Sequence, residues 1–375
     1  MTRWINRLHA DPVPWLLEYG CAPIRYRTLT EIAGRNGTDA EVAAARDACA
    51  AYKPVEDVWQ LQDRRTGMWL NKLLQYEPPI KSRHRGPGFV NQFLFLVERG
   101  WDPSDACFVD VTKTLLGLVQ EEGSGDLWEL KGYAGTNNVA AMQQVRRSMA
   151  EIAAACLVRA GFGDNPAVRA VTQRVVKDLA RCSQFEGGER FDGVLEVPED
   201  AVYRRLRVDW CTPDMFLFYM LAFHQDTCSA AAKSGGLAWL GKILGSIDPT
   251  PRRVREVCGK KFLKLKDLGL TVWTREEFAD GRLGYLLHDL EMLARTGLLT
   301  KVPAALELLE WVLSLRKSPE DGFFDVATTV GRHKTRSQYH YFPLEEAWKG
   351  KHKKSTDVVF RVALILSQLD KSEGK

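Results

Sequence analysis

The sequence predicts an all-α fold, and three observations predict it. Apolar residues recur at i, i+3, i+4 and i+7 through much of the chain, strand-like alternation is nearly absent, and glycines and capping dipeptides fall where helices of that phase would stop and start. In chain order the spacing predicts helices over 90–100 (VNQFLFLVERG), 110–122 (DVTKTLLGLVQEE), 139–161, 167–182 and 304–317. Asp102-Pro103, Asn165-Pro166 and Asp248-Pro249 are start signals. The polar side chain accepts from the first free N–H groups, and proline presets φ where its missing N–H costs nothing. Gly100, Gly161 and Gly297 are stop signals. FDGVLEVPE (191–199) is the single strand candidate.

Of 375 residues, 45% are hydrophobic and 27% charged, enough apolar material for a large core and too much for a disordered chain. Fifty-two Lys and Arg oppose 48 Asp and Glu, a net charge of +4, so the overall balance marks neither a nucleic-acid nor a membrane-surface protein. The eight cysteines form no CxxC and no zinc-ribbon spacing. Cys156, in EIAAACLVRAG, reads as a small reduced hydrophobe. MTRWINRLHADPVPW lacks the apolar core of a signal peptide, and no window approaches 18 uninterrupted apolar residues. A soluble, cytoplasmic protein is the expectation.

A weak repeat runs through the chain. LQDRRTGMW (61–69) and LVQEEGSGDLW (118–128) each follow a helix and end in Gly and Trp, while CSQFEGGERFDG and LRKSPEDGFF keep parts of the pattern. Gly67, Gly125, Gly188 and Gly322 are separated by 58, 63 and 134 residues. The longest gap is about two units, and FLKLKDLGLTVW (262–273) reads as a degenerate copy around Gly269 and Trp273. Each unit then holds two helices joined at a Gly-aromatic turn. In that turn Gly permits a tight joint and the ring of Trp69 or Trp128 fills the gap between pairs.

These features carry a resemblance. A helix ending in Leu-x-x-Gln, a Gly-Trp turn and a second apolar helix resemble the repeat of terpene cyclases and protein prenyltransferases. PVPWLLEYGCAPIRYRTLTEI (12–32) is similar to the opening of uncharacterised bacterial proteins with prenyltransferase and squalene-cyclase repeats, and FLFLVERGWDPSDACFVDV (93–111) and CLVRAGFGDNPAVRAV (156–171) resemble their helix-to-helix joint. The resemblance covers about residues 12–368. It implies one α/α-toroid domain over 1–375, with about six inner and outer helix pairs around a central cavity, a degenerate unit around 259–273 and a basic loop at 332–355. Repeat signatures specify architecture and hardly any chemistry.

The family's chemistry is incomplete in this chain. No DxDD acid is present, and no DDxxD cluster to chelate Mg²⁺ around a diphosphate; Asp105 and Asp110 in DACFVDV read as the start of an outer helix. A prenyltransferase-like zinc site is the second candidate, built on Asp209 and Cys211 in VDWCTPDMF with His288 or His224 downstream. One thiolate, one carboxylate and one imidazole would leave the open fourth position that catalytic zinc needs. The competing reading makes Cys211 a packed thiol and Asp209 a helix cap.

A toroid would also gather the N-termini of its inner helices, near 84–92, 133–141, 209–215, 276–285 and 337–348, at one mouth. Their orphan N–H groups and positive dipole ends suit an anionic or polar group. Arg85, Tyr133, Asn137, Asn138, Asp209, Glu277, Tyr339 and His340 are the candidate ligand-binding residues there. The mixture of aromatic and polar types points to an apolar, isoprenoid-like ligand with a polar or anionic head. Any enzyme activity would be terpene-cyclase-like or prenyltransferase-like without those families' acidic motifs. The alternative is a non-enzymatic scaffold that binds nucleic acid or a protein segment through the basic loop. There Arg332, Lys334, Arg336, Lys349, Lys351, Lys353 and Lys354 interleave with Tyr339, Tyr341 and Trp348. An open α-solenoid is the other helical architecture that fits.

Overall fold

A computed structural model of the chain describes residues 4–63, 67, 69, 73, 88–101, 105–120, 139–182, 191–196, 202–206, 215–223, 230–246, 252–257, 261–264, 283–324, 344–345, 352–353 and 355–373. In chain order the helices are α1 (Pro12–Tyr19), α2 (Ala22–Arg27), α3 (Ala40–Ala50), α4 (Lys53–Gln60), α5 (Phe89–Glu98), α6 (Val109–Val119), α7 (Val139–Arg159) and α8 (Pro166–Cys182). Strands β1 (Phe191–Glu196) and β2 (Val202–Leu206) follow, then α9 (Met215–Phe223), α10 (Ala230–Ser246), β3 (Arg252–Val257) and β4 (Lys261–Lys264). The last helices are α11 (Leu283–Thr296), α12 (Pro303–Ser314) and α13 (Thr356–Glu373). Two compact units divide these elements. The first comprises Met1–Val111, Trp273–Thr300 and Ala305–Lys375, and the second Thr112–Val272 with Lys301–Ala304.

Two kinds of helix build both units. In α8 the buried residues are Val168, Val171, Thr172, Val175, Val176 and Leu179, and in α12 they are Ala305, Leu308, Leu309, Val312 and Leu313. Both sets follow the i, i+3, i+4, i+7 stripe of a helix covered on one face. By contrast, all ten residues of α5 are buried, as are Met215–Ala222 of α9 and every residue from Ser355 to Ser367 at the start of α13. A helix that is apolar around its circumference, such as MFLFYMLAF in α9, is stable only with neighbours on all sides. Within the second unit α7 packs on both α8 and α9, and α8 packs on α10. Arg159 adds a cation–π contact 4.3 Å from the Phe223 ring.

In the first unit the two ends of the chain meet. Helix α13 packs on α11 and on α1, α2 and the π-helical turn Thr28–Ile32, and the Trp4 N–H donates to Asp370 Oδ2 at 2.9 Å. The stop signals hold as well. Gly100, Gly161 and Gly297 follow α5, α7 and α11 with φ of +89°, +94° and +71°. The next N–H then closes back on the helix, from Trp101 to Leu96 O at 3.2 Å, Phe162 to Leu157 O at 2.9 Å and Leu298 to Leu293 O at 2.9 Å. One left-handed joint with an apolar residue behind it therefore recurs three times. Asn165 caps α8 through the Ala167 N–H at 3.0 Å; Asp102-Pro103 and Asp248-Pro249 lie outside the described residues.

The Gln-Gly-Trp turn at 62–69 is structural, as read. Gln62 Nε2 donates to the Gly67 carbonyl at 2.9 Å, Gly67 takes φ +67°, and the buried Trp69 donates from Nε1 to Val58 O at 2.8 Å. Its counterpart at 322–324 swings Phe323 edge-on against Trp15 of α1, at 5.4 Å. Gly125, Trp128, Gly188, Gly269 and Trp273 lie outside the described residues.

Helices carry the fold; the departure is one four-stranded sheet in the second unit, in the order β1-β2-β3-β4. The outer pairs are antiparallel and β2 runs parallel to β3. Strand β1 is the expected candidate. Strand β4, expected within a degenerate helix pair around 259–273, instead pairs antiparallel with β3. VYRRL, RRVREV and KFLK alternate with period two only when Arg and Lys stems count as strand-compatible, which an apolar pattern search does not allow.

Gly100 tests the joint. A Cβ there would sit 2.8 Å from the Tyr26 ring as well as at positive φ, whereas Gly34, at φ +66°, has nothing within 4 Å. Gly100→Ala is expected to lower stability by about 1–3 kcal/mol more than Gly34→Ala, measured by urea denaturation.

Candidate functional site

Three side-chain groups stand out among the described residues of the first unit. The first is a closed ring of six alternating charges. Arg27, at the end of α2, pairs with Glu31 in the π-helical turn and with Glu98 at the end of α5. Arg361 of α13 donates to Glu98 at 3.1 Å and to Glu291 of α11 at 2.6 Å. Arg295, one turn beyond Glu291, donates to it at 2.9 Å and closes the ring on Glu31. Arg27 also lies 3.7 Å from Glu291, across the ring, and its guanidinium stands 5.0 Å from the Phe360 ring.

Arg27, Glu98, Glu291 and Arg361 are at most 3% exposed. Burial alone would favour the neutral forms, but Glu31, Glu98 and Glu291 hold the Arg27 pKa above its ordinary value. Burial likewise pushes Glu291 up, yet Arg295, Arg361 and Arg27 outweigh it and keep the carboxyl below the usual range. Three cations and three anions cancel, and every member is committed to its neighbours, so the ring works as a brace.

The second group is a clasp on residues 344–345. The buried Asp357 carboxylate accepts from the N–H groups of Leu344 at 2.9 Å and Glu345 at 3.0 Å. The Leu344 carbonyl in turn accepts from Tyr52 Oη at 3.1 Å and Cys21 Sγ at 3.3 Å. Lys353 Nζ donates to Tyr19 O at 2.8 Å and to the buried Glu345 carboxylate at 3.1 Å. Burial, with the charges of Glu345 and Asp357, pushes the Cys21 thiol well up; burial pushes Cys49 to about 12 and also raises Cys156. None of these three thiols is a nucleophile at neutral pH.

The third group is an aromatic wall. Trp59 of α4 contacts Trp101 at 5.1 Å, Trp69 at 5.6 Å and Phe108 at 5.9 Å between ring centroids, and Phe89 and Phe93 of α5 extend the cluster. Trp69 spends its N–H on Val58, but the buried Nε1 donors of Trp59 and Trp101 have no hydrogen-bond acceptor. Each unmet donor costs about 1–3 kcal/mol, and here two stand on adjacent rings. The indoles themselves are only half-buried. Apolar faces with N–H groups on two neighbouring rings suit a ligand that is mostly hydrocarbon and carries oxygen.

The residues expected from sequence fall mainly elsewhere. Arg85, Tyr133, Asn137, Asn138, Asp209, Glu277, Tyr339 and His340 lie outside the described residues, as do Cys211 and His224. His288 is buried within α11. Among the described residues no three or more His, Cys, Asp or Glu side chains form a group that could hold a metal ion. The helices themselves start where expected at Phe89, Val139, Met215 and Leu283, whereas α13 starts at Thr356, beyond 337–348. Asp105 pairs with Arg46 at 2.8 Å. Of the basic loop, Lys353 is tied into the clasp.

The ring and the wall were missed. Their signal was present: Glu98, Glu291 and Arg361 each interrupt an apolar run, and Trp59, Trp69 and Trp101 recur around α4 and α5. No described helix is long and apolar enough to cross a membrane. Compared with protein-family models, curated proteins and solved structures, the chain matches none.

Two outcomes test the ring and the clasp. Glu98→Gln keeps the shape but leaves Arg27 and Arg361 without their shared carboxylate, so stability should fall by about 3–5 kcal/mol in chemical denaturation. Asp357 titrates in the other sense, because burial raises its folded pKa to about 6. Between about 4 and 6 the folded state then holds more protons than the unfolded one. The stability of the parent relative to Asp357→Asn should therefore decline as pH rises through that window, read from denaturation midpoints across it.

Proposed function

We propose that the protein is an α/α toroid that binds an apolar, isoprenoid-like ligand with a polar or anionic head, and that the aromatic wall of the first unit is part of its binding site. The observation that carries this reading is the pair of buried indole N–H groups without acceptors, on Trp59 and Trp101, set among Trp69, Phe89, Phe93 and Phe108. Ring faces take up alkyl and alkene carbon without strict direction, while the two N–H groups donate to an acceptor such as an oxygen. A ligand with one polar end meets both demands. The fully buried helices beside half-buried ones within each unit, and the meeting of the chain ends within the first, support this reading. The bacterial repeat family that the sequence resembles is consistent with it. The basic loop supports the scaffold alternative less well, since Lys353 is already neutralised by Glu345.

Native mass spectrometry of freshly purified protein, looking for a bound lipid, is the direct test. Calorimetric titration with farnesol and with farnesyl diphosphate supplies the second. Trp101→Phe retains a ring and deletes one donor, so binding should weaken by about 3- to 10-fold, the worth of one neutral hydrogen bond. Absence of saturable binding by either isoprenoid to the parent sinks the proposal.

A further inference from the structure

Buried acids of the first unit are held in two ways. In the charge ring each carboxylate has cations beside it, as Glu98 has Arg27 and Arg361. Asp357, fully buried in the first turn of α13, has no ion pair among the described residues. Its two oxygens accept instead from the N–H groups of Leu344 and Glu345. Arg361, one turn along the helix, donates to Glu98 and Glu291, and Lys353 donates to Tyr19 O and Glu345. A second carboxylate shares the corner, since Glu345 is only 2% exposed and gives its own N–H to Asp357. The Cys21 thiol and Tyr52 hydroxyl face it too, both donating to Leu344 O, and the Arg99 charge reaches Cys21. His352 turns away, onto Trp15 and Tyr19.

A dry carboxylate beside a like charge and without a cation of its own takes up a proton readily. Burial, with the Glu345 charge, outweighs the two N–H groups and Arg361, and raises the Asp357 pKa to about 6. What that proton controls is local. Leu344 and Glu345 belong to neither helix nor strand, so their N–H groups rest on this carboxylate and on no backbone ladder. Detaching them lets water reach Asp357 and returns it to the ordinary range near ~3.9. The attached form therefore holds more protons than the detached one, and acid favours attachment. Glu291, whose pKa is held below the usual range by its arginines, behaves in the opposite sense.

We propose that the clasp is a proton-controlled latch: a proton on Asp357 holds residues 344–345 against α13, and its loss loosens them without unfolding the unit. Both residues fall in the basic sequence segment 331–355, so the latch puts one attachment of that segment under the control of pH. The latch is independent of the aromatic wall and of any ligand there.

The test is hydrogen–deuterium exchange of the full chain across a pH series, each rate divided by the intrinsic rate at that pH. Detachment at Leu344 and Glu345 should be about tenfold rarer near pH ~5 than near pH ~8, as a shift from about 6 to about 3.9 requires. Exchange at these two amides should also be indifferent to dilute urea, because local opening exposes little surface, whereas the amides of α11 should respond to it. Asp357→Asn should abolish the pH dependence. If that variant does not fold, Glu345→Gln removes the like charge and should move the transition to lower pH while leaving its direction unchanged. The latch is overturned if the parent shows no pH dependence or the reverse one, or if Asp357→Asn retains it. It is equally overturned if Glu345→Gln leaves the transition where it was, or if urea speeds exchange at 344–345 as steeply as in α11, which would make the opening global.

Discussion

The constraint on which the first unit depends is electrical. Four segments far apart in the chain, α2 with its π-helical turn, the end of α5, the middle of α11 and the start of α13, each bring charge into an apolar interior. An isolated buried ion costs several kcal/mol, so none of these segments can dock stably until its partners have docked. The alternating order Arg27, Glu31, Arg295, Glu291, Arg361, Glu98 satisfies every member only when the loop of charges is complete. Apolar packing alone would gain comparable stability, but it would tolerate shifts of one helix along another. The charge ring supplies a register that hydrocarbon cannot.

Helix α5 transmits that register to the candidate site. Its last residue, Glu98, belongs to the ring, while Phe89 and Phe93, one and two turns or more earlier, belong to the aromatic wall. Immediately after the helix the left-handed Gly100 turns the chain so that Trp101 packs on Trp59. The position of the unmatched Trp101 N–H is thus fixed by a brace at one end of a buried helix and by a glycine joint directly behind it. A donor held so firmly cannot turn away to find an acceptor of its own. That rigidity is what lets an unmet hydrogen bond persist.

Much of the framework was legible in the sequence, because helix periodicity, glycine stops and the Gln-Gly-Trp turn are local properties. Gly100, Gly161 and Gly297 could be placed from a few neighbours each, and so could the starts of α5, α7, α9 and α11. The charge ring was not legible, since Arg361 meets Glu291 across 70 residues and Glu98 across 263, and nothing local states which charge meets which. The sheet was hidden differently. Its strands alternate apolar residues with arginines and lysines, and that composition mimics a solvated helix face. Of the residues singled out for chemistry, His288 alone falls in the described interior, where it sits among the apolar residues of α11.

The near-neutral total charge says nothing of where charges meet. In the ring three cations and three anions are matched one to one, and Arg27, Glu98, Glu291 and Arg361 are almost wholly withdrawn from water, so the group contributes order and little external field. Net charge could not reveal this, because pairing cancels in the sum whether it occurs across 3 Å or across the whole chain. The geometry of the pairs does reveal it, and it ties the ring to the integrity of the fold.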